Sequence, residues 1–118
     1  MAKRIGEFEQ LLLLALLRLG DKAHGMTLRR EIQVRTGRTV SAGAVYTAME
    51  RLEARGLVSS EIGEPTPRRG GKARKFYEIE ERGAQAVASS YQVLSAMAED
   101  LGPILSRIAA EDLESEEG

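Results

Sequence analysis

Apolar residues recur every three or four positions over four stretches of this chain and alternate over two shorter ones, and glycine stands at most of the changes of regime. From Ile5 to Leu19, the residues Phe8, Leu11, Leu12, Ala15, Leu16 and Leu19 fall on one helical face, with Leu13, Leu14 and Leu17 spilling onto the other side. A helix apolar nearly all round needs cover on both faces. A second helix is predicted from Gly25 to Thr36, with Leu28 and Ile32 inward and Arg29, Arg30 and Gln33 outward. A third begins after Ser41, a good N-cap, burying Val45, Ala48, Met49 and Leu52 and turning Gly43, Tyr46, Thr47 and Glu50 outward. Gly20, Gly37 and Gly56 close these helices as C′ glycines. The short link over residues 37–40 makes helices two and three an adjacent pair, a helix-turn-helix.

The period then changes. Leu57 to Ile62 and Arg74 to Glu80 have strand composition, and the Pro and Gly residues of the intervening GEPTPRRGGKA forbid a continuing helix. Three helices followed by a basic β-hairpin is the order of a winged helix. After Gly83, Val87, Tyr91, Leu94, Ala98, Leu101, Leu105 and Ile108 form a heptad-like seam that calls for a partner helix. Gly102-Pro103 should kink or break it. The expected fold is mainly α with a small antiparallel β-hairpin. Residues 1–83 would be a winged helix-turn-helix DNA-binding domain, 84–110 a C-terminal dimerisation helix, and 111–118 a frayed, disordered acidic tail.

Charge sharpens that division. The net charge of −1 conceals two halves of opposite sign: residues 1–75 hold 15 of the 17 Lys and Arg against 8 acids, and residues 76–118 hold 2 against 10. A cationic working surface is thus separated from an acidic end, so the low net charge does not exclude a polyanionic partner. The 118 residues suffice for one domain with its own core. The absence of Cys removes disulfides and thiolate metal sites, so zinc would depend on carboxylates and His24 alone; neither metal nor cofactor is expected. The longest apolar run, Leu11 to Leu17, falls far short of the roughly 20 residues of a membrane span. A cytoplasmic location is the expectation.

Catalysis finds little support. His24 is the only imidazole, no phosphate-loop, zinc or nucleophile-elbow pattern occurs, and the pairs Glu80-Glu81 and Glu116-Glu117 read as solvated charge. Nucleic-acid binding fits better. Ser41, Ala42 and Gly43 would let the third helix approach a major groove closely, with Tyr46 and Thr47 on its exposed face. Arg68, Arg69 and Lys72, flanking Gly70-Gly71, together with Arg74 and Lys75, would hold phosphates or enter a minor groove. Two other classes remain open at this point: a winged-helix module that binds a protein, and a small-molecule sensor with a pocket between subunits.

Three separated blocks, GEFEQLLLLALLRLGDKAHGMTLRREI, SAGAVYTAMERLEARGLV and RRGGKARKFYEIEERGAQAV, resemble in order and spacing the PadR family of bacterial winged-helix transcriptional regulators. The resemblance implies a homodimer that grips a pseudo-palindromic operator in double-stranded DNA, usually as a repressor. His24-Gly25-Met26 matches the family's His-Gly-aromatic start of helix two, with Met26 in the aromatic's place. Gly43, Val45, Tyr46, Arg51, Leu52, Glu53, Gly56 and Leu57 match its helix-three pattern, and Arg74-Lys75-Phe76-Tyr77 its basic-aromatic strand. Glu80 stands where relatives usually carry Thr, a better helix cap. The implied DNA surface comprises His24, Met26, Thr27 and Arg30; Ser41, Ala42, Gly43, Tyr46 and Thr47; and Arg68, Arg69, Gly70, Gly71, Lys72, Arg74 and Lys75. The implied dimer surface comprises Phe8, Leu11 and Leu12 with Val87, Tyr91, Leu94, Ala98, Leu101 and Leu105. Some relatives release DNA on binding a small aromatic effector between subunits.

Overall fold

A computed structural model of the chain describes residues 4–64 and 73–117. Its elements are α1 (Glu7–Leu19), a 3₁₀ turn (Gly20–Lys22), α2 (Gly25–Thr36), α3 (Ala42–Ala54), β1 (Val58–Ile62), β2 (Lys75–Ile79), α4 (Glu81–Ala98) and α5 (Gly102–Glu117). This is the mainly helical winged helix-turn-helix with one antiparallel hairpin.

Local chemistry sets most of the boundaries. Gly37 ends α2 at φ 76°, its N–H reaching the Gln33 carbonyl at 2.9 Å, and Gly56, also at φ 76°, follows α3. The Ser41 hydroxyl accepts the Ala44 N–H at 3.0 Å and so starts α3. At the head of α2, Thr27 Oγ1 accepts the His24 N–H at 2.9 Å, which fixes the entry of the chain into that helix. Glu80 supplies no side-chain hydrogen bond to α4, so this helix starts without the cap a Thr would provide.

The core forms where α1, α2 and α3 meet the hairpin. Leu12, Leu13, Leu16, Leu28, Val45, Met49 and Leu52 are its largest fully buried side chains. Leu13 belongs to this core, whereas the helical wheel puts it on the spill-over side with Leu14 and Leu17; only the latter two are exposed. In the hairpin, Val58 pairs with Ile79, Ser60 with Tyr77 and Ile62 with Lys75. The other edge of β2 is occupied by the segment before α2: the Tyr77 N–H donates to the Ala23 carbonyl at 2.8 Å, and His24 bridges Phe76. The base of the wing is thereby tied to the helix-turn-helix by main-chain bonds as well as by the buried Tyr77 ring.

The C-terminal part departs from a single helix. It forms two, separated at Glu99–Leu101, where Asp100 adopts φ 66°. Pro103 lies in the first turn of α5, where its missing N–H costs no helical bond, so it begins a helix in place of kinking one. Helix α5 then continues to Glu117, through the acidic stretch 111–117 that was expected to fray. Helix α4 likewise begins before Gly83 and not after it.

Candidate nucleic-acid interface

The start of α2, the exposed face of α3 and the first residues of β2 enclose one concavity of about 270 Å³. Its walls are His24, Gly25, Met26 and Arg29 from α2 and the residue before it, Ala42, Val45 and Tyr46 from α3, and Arg74, Lys75 and Tyr77 from the hairpin. Residues read separately as helix-turn-helix and wing thus form a single surface, with three cations on it. Among the described residues, no group of His, Asp and Glu is placed to hold a metal, and no helix is long and apolar enough to cross a membrane.

Lys75 is the joint between the hairpin and α3. Its ammonium lies 5.7 Å from the centroid of the Tyr46 ring and 5.8 Å from that of Tyr77, with Glu53 Oε1 at 3.8 Å. Glu53 is itself anchored by the Ser60 hydroxyl, at 2.9 and 2.7 Å from its two oxygens. The Glu50 side chain, one turn further along α3, pushes the Tyr46 pKa above the ordinary tyrosine value, first as an acceptor that favours the neutral phenol and then through its charge. Burial does the same for Tyr77, helped by Tyr46, Glu53 and Glu50.

The structure redistributes roles among the residues expected to touch DNA. Met26, Tyr46, Ala42, Gly43 and Thr47 are exposed, as a reading surface requires. His24 is not: it is only 8 % exposed, its ring meets Phe76 edge-on at 5.6 Å, and Arg74 Nη1 lies 3.2 Å from its Nε2. The strand β2 covers it, so it serves as a support for Arg74 and Phe76. The hydroxyls of Thr27 and Ser41 are committed to helix starts. Arg30 is exposed on α2 but does not line the concavity. Arg29, which the sequence marks only as outward-facing, donates from Nε to the Val40 carbonyl at 3.0 Å and so holds the turn between α2 and α3. The wing-tip residues Arg68, Arg69, Gly70, Gly71 and Lys72 lie outside the described residues.

The expected dimer surface is also revised. Leu12 and Val87 are consumed by the core of the subunit itself, where α1 packs against α2, α3, β2 and α4. Phe8 and Leu11 pack partly against that core, and Ala98 is half-buried. By contrast Tyr91, Val93, Leu94, Met97, Leu101, Ile104, Leu105 and Ile108 are between 42 % and 78 % exposed. Val93, Met97 and Ile104 stand outside the seam that a strict heptad count picks out.

A helix-turn-helix followed by an antiparallel hairpin that packs back on it is the winged-helix fold. Solved structures show the same fold. A PadR family transcription regulator from Clostridium difficile R20291 aligns with TM-score 0.68 at 20% identity, covering 85% of this chain and 99% of its own. A PadR family transcriptional regulator from Eggerthella lenta aligns with TM-score 0.64 at 27% identity, over 84% and 86%. The winged-helix DNA-binding protein F93 from STIV aligns with TM-score 0.65 at 18% identity, over 83% and 98%. Residues 13–89 match the family described as transcriptional regulator PadR-like, and the chain belongs to that family. Its members are transcriptional regulators, not enzymes. No curated protein matches the chain.

Proposed function

We propose that this regulator is a homodimeric, sequence-specific repressor acting in the cytoplasm, which sets α3 into the major groove of each half of a pseudo-palindromic operator. The observation that carries this reading is the concavity that brings Arg29, Arg74 and Lys75 beside the exposed Ala42 and Tyr46. Backbone phosphates need cations and base edges need exposed, closely approaching side chains; here both lie on one surface. The wing tip, with Arg68, Arg69 and Lys72, would extend the same cationic surface along the backbone or into a minor groove. Dimerisation is supported by the apolar residues that α4 and α5 leave in water, a cost that association would remove. An acidic end held away from DNA is consistent with that division of labour.

The test is to replace Arg74 and Lys75 with Ala and follow DNA binding against salt. Weaker binding to every duplex is expected, with a salt dependence shallower by roughly one unit for each phosphate no longer neutralised. Unchanged affinity and slope would contradict the assignment of this surface.

A further inference from the structure

A carboxylate stands on the exposed face of the helix that the proposed function turns toward DNA, beyond the concavity itself. Glu50 is exposed on α3, one turn beyond the exposed Tyr46 and on the same face as Gly43 and Thr47. Among phosphates this charge is repelled, so a negative residue on a reading face gains only where the partner offers a hydrogen-bond donor. The Tyr46 ring is held under the Lys75 ammonium at 5.7 Å, one helical turn before Glu50, so the ring flanks the carboxylate on the same face of α3. In the major groove the donors are the exocyclic amines of cytosine and adenine. Adenine presents its amine beside the N7 acceptor, which opposes a carboxylate; cytosine presents a donor and no acceptor.

We infer that Glu50, with Tyr46 beside it, is a specificity-determining residue that accepts a hydrogen bond from the amino group of a cytosine in each half-site. The inference rests on the reading of α3 as the helix in the major groove. Lys75 of the hairpin, paired with Glu53 of α3, lies over the Tyr46 ring, so the ring beside Glu50 is coupled to the base of the wing.

The experiment is selection of bound duplexes from a randomised pool by the full-length protein, by Glu50→Ala, by Glu50→Gln and by Thr47→Asn. The wild type should require cytosine at one position per half-site, with roughly tenfold discrimination against other bases. Glu50→Ala should flatten that position without weakening binding to random DNA, since a repulsive charge is removed. Glu50→Gln should move the preference to adenine, because an amide supplies both a donor and an acceptor. Thermal melting of both variants should match the wild type, as Glu50 is exposed and outside the core.

Identical selected sequences from all Glu50 variants, or a wild-type preference for adenine there, would overturn the inference. Thr47→Asn separates the two levels. If it alters selection while the Glu50 variants do not, only the role of Glu50 falls. If no α3 variant alters selection, or the wild type selects nothing, the reading of α3 itself falls and takes this inference with it.

Discussion

A Cβ built on Gly83 would stand 2.1 Å from the carbonyl oxygen of Leu57. That carbonyl also accepts the Glu80 N–H at 3.0 Å, so the first turn of α4 is pressed onto the start of β1 with no room for a side chain. The close approach fixes the direction in which α4 leaves the winged helix. Gly83→Ala should therefore be destabilising although Ala favours helices, by about 1–3 kcal/mol or more through overpacking. Urea unfolding followed by far-ultraviolet circular dichroism measures it; a stability equal to wild type would contradict the packing.

Gly43 is the opposite case. Nothing lies within 4 Å of a Cβ built there, and the residue is inside α3. Gly43→Ala should raise stability by up to about 1 kcal/mol through helix propensity. If α3 enters a groove as closely as proposed, the same substitution should weaken specific DNA binding. Thermal melting and operator affinity should thus move in opposite directions.

The exposed apolar face of α4 and α5 predicts association. Replacing Leu94 and Leu101 with Glu places two charges on that face, and analytical sedimentation should change from dimer to monomer. A dimer that persists in the double variant would move the interface elsewhere, with the exposed Leu14 and Leu17 of α1 the next surface to test.

Alkaline titration offers a fourth test. The pKa values of Tyr46 and Tyr77 are both raised, so their neutral forms are favoured in the folded state. This contribution to stability is fully present below the unfolded tyrosine value of about 10 and disappears as pH rises through the folded values. Stability should therefore decline as pH rises above about 10, and Tyr77→Phe, which retains the buried ring without an ionisable hydroxyl, should lessen that decline in alkaline urea unfolding.

Where local signals decide structure, the sequence is a reliable guide. Helix α2 occupies Gly25–Thr36 as its periodicity predicts, because His24 precedes and Gly37 follows a plainly periodic segment; Ser41 caps α3 for the same kind of reason. What tertiary packing decides is out of its reach. Leu12 and Leu13 point to different sides of α1 and are both buried, since the core wraps around that helix. The place of His24 beneath Phe76 depends on β2 lying beside it, which no local pattern announces. Pro103 reads as an interruption, yet a proline in a first turn is equally the mark of a new helix. Arg29 and Arg30 are alike in sequence; only the position of the Val40 carbonyl distinguishes the brace from its outward-facing neighbour.

The central claim, sequence-specific DNA recognition, is tested most directly by fluorescence anisotropy with a duplex from upstream of the protein's own gene and a scrambled duplex of equal composition. Each is titrated between about 50 and 200 mM salt, over which binding through phosphates weakens by orders of magnitude. The account predicts a preference for the upstream duplex that survives at the higher salt. Equal binding to both duplexes that vanishes with salt would contradict it, leaving a cationic surface without sequence recognition at that site.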